Sequence, residues 1–144
     1  MSDIPEHLHA VRQWIEKAEH DLRNAEHTLT LTEDCPFDTV CFHAQQCVEK
    51  YLKALLLVHS IEFPRTHDLR VLRQLVPSQA GLDLDIRHIV PLNRYTVEAR
   101  YPGDWDPISQ TEAEAAVAMA RRVRQAVRAC LPTEALGLEP YRPS

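Results

Sequence analysis

The sequence predicts an all-α protein, an antiparallel up-and-down four-helix bundle with one extra short helix. Three observations lead there. Apolar residues recur at steps of three and four along most of the chain. Only three glycines occur, too few for the many turns of a strand-rich fold. The breaks between periodic stretches are short, which favours antiparallel neighbours.

The first helix is expected from about Pro5 to Leu31. Val11, Trp14, Ile15, Ala18, Leu22, Ala25 and Leu29 form one apolar stripe along it. Asp34-Cys35-Pro36 breaks the pattern. The second helix should run from about Phe37 to Val58. Val40, Cys41, Ala44, Cys47, Val48, Tyr51, Leu52 and Leu55 share one half of its surface, and His43, Gln46, Lys50 and Lys53 share the other. Phe63-Pro64-Arg65 reads as a loop. Thr66 can then cap a short helix through about Leu75.

Pro77 to Gly81 is a further break. Leu84, Ile86, Ile89, Val90, Leu92 and Val97 predict a helix from Asp83 to about Glu98, with Pro91 either kinking it or marking its start. Tyr101-Pro102-Gly103-Asp104 is a loop signal. Ser109-Gln-Thr-Glu112 and Thr111-Glu-Ala-Glu114 both match the capping box, in which a hydroxyl and a carboxylate satisfy the free N–H groups of a helix start. The last helix then runs to about Leu131. Residues 1–131 are therefore expected as one helical domain and 132–144 as a flexible tail, given Pro132, Gly137, Pro140 and Pro143.

Length, charge and cysteine usage bound the function. A chain of 144 residues fits one domain with its own core. The formal charge of −5 means that any contact with nucleic acid must come from a local basic patch. No apolar stretch approaches the ~18 residues of a membrane span, and the first residues lack the order of a secretory signal. Cys35, Cys41, Cys47 and Cys130 read as free thiols in a reducing compartment. A soluble, cytoplasmic protein without a membrane partner is the expectation.

The second helix carries a resemblance. Phe42-His-Ala-Gln-Gln-Cys-Val-Glu-Lys-Tyr-Leu-Lys-Ala-Leu-Leu56 resembles the central motif of the HEPN family. Thr66-His-Asp-Leu69, Ala99-Arg-Tyr-Pro102 and Ala18-Glu-His-Asp-Leu22 fit the same family, in the right order from about Trp14 to Leu131. The resemblance implies a helical-bundle homodimer, often a toxin or RNase encoded beside a nucleotidyltransferase-type antitoxin. RNase members use an Arg, four to six intervening residues, then a His at a dimer cleft. Here no His has an Arg at that spacing: Arg23 precedes His27 by four, and Arg12 precedes His20 by eight. The resemblance therefore leaves an endoribonuclease without its motif, although an Arg and a His distant in sequence could still meet.

Two groups of candidate site residues follow, each with a plain structural reading beside it. His43, Gln46, Lys50 and Lys53 offer cations and donor–acceptor pairs for a phosphate, base or ribose, or else form a solvated helix face. His67 and Asp68, with Thr66, Arg100, Tyr101 and Arg94, offer an acid–base histidine and a cation. Alternatively Thr66 and Asp68 cap a helix start, and Arg100-Tyr101 offsets a helix dipole. His67 and Arg100 are the candidate catalytic pair. His43 and Cys47 sit four apart, but a second ligand pair for zinc is missing, so no metal or other cofactor is expected. Arg121, Arg122, Arg124 and Arg128 make the last helix locally basic, as a charged outer face or an RNA contact. Phe42, Leu56 and Leu57 lie outside the main apolar half of the second helix and are expected at a homodimer contact or beneath the loops.

Overall fold

A computed structural model describes residues 6–96 and 106–137. Every regular element among them is helical. Helix α1 spans Glu6–Leu29 and α2 Phe37–Val58. A short α3 covers Leu69–Leu75, followed by a 3-10 turn at Ser78–Ala80. One turn of α-helix, α4 at Ile86–Ile89, passes directly into a 3-10 helix at Val90–Tyr95. Helix α5 spans Gln110–Arg128 and α6 Thr133–Leu136. No helix among the described residues is long and apolar enough to cross a membrane.

Helix α2 is the central strut. It packs against α1 along most of its length and against α5, α3 and the Val90–Tyr95 segment elsewhere. The sequence requires this: beyond its apolar half, α2 also buries Ala54 and Leu56, so it needs neighbours on most sides. Helix α1 contributes the expected stripe, with Val11, Ala18, Leu22 and Ala25 fully buried. Helix α5 brings small residues, Ala113, Ala116, Val117, Ala120, Val123 and Val127, which let its backbone approach α2 closely.

Several boundaries differ from the sequence reading. The long helix expected over Asp83–Glu98 is broken. Asp85 accepts a hydrogen bond from Arg87 N and so starts α4. Pro91 has no N–H to give the Arg87 carbonyl, and the chain tightens into the 3-10 helix. Val97 and Glu98 lie outside the described residues. Among the described residues the bundle thus has three long helices, and the fourth place is taken by an element broken at Pro91. At α3 the cap is Asp68, which accepts from Arg70 N at 2.9 Å, while the Thr66 hydroxyl accepts from Asp68 N at 3.0 Å. At α5, Ser109 Oγ accepts from Glu112 N at 3.1 Å, as the capping box requires.

The packed region also continues past Leu131. Ala135 of α6 is buried, and Arg12 Nε donates to the Glu134 carbonyl at 2.7 Å, which fastens α6 to α1. Residues 132–137 therefore belong to the bundle rather than to the expected tail. Leu56, expected at a dimer contact or under the loops, is fully buried within the chain; Phe42 and Leu57 are half-buried. Leu31 is the exposed large hydrophobic side chain among the described residues.

Candidate functional site

The polar residues of α2 fall into two adjacent rows. Gln45, Glu49 and Lys53 follow one another at steps of four, and His43, Gln46 and Lys50 at steps of three and four. Each row meets a carboxylate, so the stripe is a pair of ion clusters rather than a solvated face.

The first cluster spans α1 and α2. Asp21 projects from α1 with its side chain 11 % exposed. Its Oδ1 lies 2.8 Å from His43 Nδ1, and its Oδ2 lies 2.5 Å from Lys50 Nζ. Both carboxylate oxygens are thus occupied. His43 keeps about a fifth of its side chain exposed, and its ring meets Phe42 edge-on at 5.3 Å. With Nδ1–H donating to the carboxylate, Nε2 of a neutral His43 carries the lone pair.

The second cluster is centred on Glu49, whose side chain is only 3 % exposed. An ionised carboxylate buried that far is tolerable only when donors surround it. Four side chains do so. Lys53 Nζ lies 3.0 Å from Oε2, while His67 Nδ1 at 2.9 Å, Gln45 Nε2 at 3.3 Å and Gln46 Nε2 at 3.4 Å approach Oε1. Gln45 Nε2 also donates to the His67 carbonyl at 3.1 Å, which ties the loop before α3 to α2. Lys53 is itself nearly buried. Its ammonium lies 5.3 Å from the Trp14 ring centroid and 5.8 Å from that of Phe63, so ring faces replace water around it. The His67 side chain is 41 % exposed and so opens this cluster to solvent.

The structure therefore brings five of the sequence candidates into one region. Asp21 holds His43 and Lys50; Glu49 holds Gln46, Lys53 and His67. Asp68 serves the α3 start and accepts from Asn93 Nδ2 at 2.8 Å, while Asn93 Oδ1 accepts from Leu69 N at 2.9 Å. That pair anchors the His67 loop to the Val90–Tyr95 segment. Arg94 pairs with Glu112 at 3.0 Å. Arg100 and Tyr101 lie outside the described residues. Sequence reasoning missed the acceptors Asp21 and Glu49 and the donor Gln45. The signal was present, since Asp21 lies in Ala18-Glu-His-Asp-Leu22 and both others in the α2 motif. Helical periodicity scores a carboxylate as a solvated residue and so hides it.

The arginines of α5 have a different use. Arg121 pairs with Glu26 at 2.7 Å, and Arg124 and Arg128 reach Glu19 Oε1 at 2.7 and 3.2 Å. The Tyr51 hydroxyl also donates to Glu19. Burial and the negative charge of Glu19 together raise the Tyr51 pKa far above its ordinary value. These side chains clamp α5 to α1 and α2. Cys47 is fully buried between the helices, and burial pushes its thiol pKa well up. A thiol so placed is a poor metal ligand or nucleophile, which removes the His43–Cys47 pair as a ligand set. Among the described residues no three His, Cys, Asp or Glu side chains are grouped to hold a metal ion.

A cavity of about 440 Å³ lies at the N-terminal end of α2, lined by Phe37, Phe42, Tyr95 and Ile108 among others. His43 is not part of its wall.

Residues 11–130 match the HEPN domain family. The chain belongs to this family. Its solved relatives agree in fold. The HEPN chain is 26% identical to ST0689, described as an archaeal HEPN homologue, with a TM-score of 0.65 over 83% of this chain and 95% of that one. It is 28% identical to TT1696 from Thermus thermophilus, with a TM-score of 0.70 over 84% and 98% of the two chains. No match was found among the curated proteins. The family match covers α1 through α5, and with them both ion clusters of this HEPN chain.

Proposed function

We propose that this HEPN protein is the partner of a nucleotidyltransferase-type antitoxin, and that its α1–α2–α3 polar face receives a nucleotide or RNA phosphate. The observation that carries the reading is that His43 and His67 are each held through Nδ1 by a nearly buried carboxylate, with Lys50 sharing the first. Buried ion clusters seldom stabilise a core by much, because desolvation offsets most of the Coulomb attraction. Their use here fixes two imidazoles and one ammonium at the edge of an otherwise apolar helix. Fixed donors bind an oxyanion with little ordering cost. The homodimer and the partner contact come from the family resemblance.

A second reading is a metal-independent endoribonuclease. The carboxylate–histidine pairs favour it, since a carboxylate on Nδ1 sets the tautomer and steadies the imidazolium during proton transfer. The absent Arg-to-His spacing weighs against it.

Two experiments test these readings. Co-expression with a nucleotidyltransferase encoded beside it should yield a stable complex, and separate elution of the two proteins would remove the partner assignment. Titration with nucleotide and short RNA should show about tenfold weaker binding for Lys50→Ala, His67→Ala and Arg100→Ala than for wild type. Equal binding by all four proteins would place the site elsewhere. RNA cleavage that vanishes in His67→Ala, with the fold intact, would promote the second reading.

A further inference from the structure

We infer that His43, Asp21 and Lys50 form a proton-coupled oxyanion subsite, in which a phosphate-type anion binds together with one proton on His43. The inference rests on the phosphate-binding reading above and adds how that site is regulated.

With His43 neutral, the Asp21 carboxylate and the Lys50 ammonium cancel, and the cluster has no net charge. The Lys50 ammonium is drawn to Asp21 Oδ2, so an incoming anion meets a closed pair and a nearby carboxylate. A proton on His43 changes both terms. The cluster becomes cationic, and Nε2–H becomes a donor. Nδ1 remains on Asp21 Oδ1, and Nε2 has no partner among the described residues, so the new donor is available to a ligand. Among the described residues the charged groups of this cluster are Asp21 from α1, paired with His43, and Lys50 from α2 itself, paired with Asp21; the Phe42 ring covers one edge of His43. Imidazole is the kind of side chain that gains or loses a proton under mild conditions, which is what such coupling requires.

By linkage, an anion that favours imidazolium raises the His43 pKa, and protonation raises anion affinity by the same factor. The probe must keep its own charge constant. A terminal phosphate does not, because its second pKa is about 6. Short oligouridylate, with phosphodiesters only, and inorganic sulfate do.

The test is titration of wild type and His43→Gln with each probe at about pH 5.5 and pH 7.5 in low salt, on either side of the ordinary histidine pKa. Wild type should bind oligouridylate roughly tenfold more tightly at the lower pH, and His43→Gln should lose most of that dependence. The variant comparison removes the general effect of the other histidines losing or gaining charge. An equal pH dependence in both proteins, or none in wild type, overturns the inference while leaving the phosphate site standing. Absence of binding at either pH overturns both. Sulfate acting like oligouridylate supports the subsite with free oxyanion as the source. Oligouridylate acting alone supports it with nucleic-acid phosphate as the source. A second measurement needs no variant: the His43 ring resonance should titrate about one pH unit higher with saturating probe, and an unchanged titration overturns the inference.

Discussion

Two ionic networks bracket the same stretch of α2 and are built from different chemistry. On one side Glu19 receives Arg124, Arg128 and Tyr51 and joins α1, α2 and α5. On the other, Asp21 and Glu49 receive His43, Lys50, Lys53 and His67 and join α1, α2 and the loop before α3. The first network uses arginine, which stays charged at every accessible pH and presents several fixed donors. A guanidinium does not give up its proton in a protein, so this network acts as a permanent clamp. The second uses histidine and lysine, whose charge or position answers to pH and ligands. Cys47 lies between them: after burial itself, Glu19 and Asp21 are the largest influences that raise its pKa.

The largest expected effect comes from breaking the most buried acceptor. Glu49→Ala leaves Lys53 with an almost buried ammonium and takes the carboxylate from His67, while Gln45 and Gln46 keep the His67 carbonyl and Gln45 Oε1 as acceptors. Loss of one partner of a buried pair costs about 3–5 kcal/mol. Urea denaturation should show a loss of that order. A loss below about 1 kcal/mol would mean that water already enters the cluster. Next comes Glu19→Ala in the clamp. Its arginines keep some solvent access, with about a sixth of each side chain exposed, so they can partly rehydrate. A loss of roughly 2–3 kcal/mol is expected, with the Tyr51 hydroxyl as the main group left unsatisfied. A larger loss than for Glu49→Ala would reverse the ranking of the two networks.

Thiol chemistry sharpens the comparison from the position between them. Cys35 and Cys130 are half-buried, whereas Cys41 and Cys47 are fully buried. Burial, with Glu112 next in size, pushes the Cys41 pKa up to about 11 from 9.0. A raised folded-state pKa means that the neutral thiol contributes its stability fully below about pH 9 and loses it as pH rises towards 11. A disulfide reagent near pH 8 should therefore label two thiols quickly and two only as fast as the protein opens. In a Cys35→Ser, Cys130→Ser background, Glu49→Ala should speed the slow labelling. Unchanged labelling would show that the α1–α2 seam opens independently of that cluster.

The same contrast explains what was legible in the sequence. The cores of α1, α2 and α5 were legible because a helix that buries one face must repeat apolar residues every three to four positions. The caps at Asp68 and Ser109 obey local chemistry and were nearly legible too. The break at Pro91 was legible only as two alternatives, because its outcome depends on Asp85 and Asn93 being engaged by their neighbours. His43, Lys50 and His67 could be picked out as residue types, but not as held groups. Asp21 lies 22 and 29 positions from its two partners, and nothing local records such a pairing. The arginines of α5 were legible as a basic stripe and illegible as a clamp, since Glu19 is more than a hundred positions away.

The smallest stability change is expected where the binding change is greatest. Lys50→Met keeps the aliphatic stem against α1 and removes only the ammonium. Lys50 is about a fifth exposed, and its partner Asp21 still accepts from His43, so water and the imidazole can share the freed oxygen. The cost to folding should be within about 1 kcal/mol, the range of partly solvated ion pairs. Oxyanion affinity should nevertheless fall roughly tenfold, because the ammonium of the first cluster is gone. Arg124→Met should do the opposite: it weakens the clamp, lowers the unfolding midpoint in urea, and leaves oxyanion affinity within about twofold, since its ion pair with Glu19 belongs to the other network. Measuring both variants in both assays separates the roles. If Lys50→Met loses stability without affinity, or Arg124→Met loses affinity without stability, the division into a holding network and a binding network is wrong. The two would then be a single structural device that happens to use two kinds of cation.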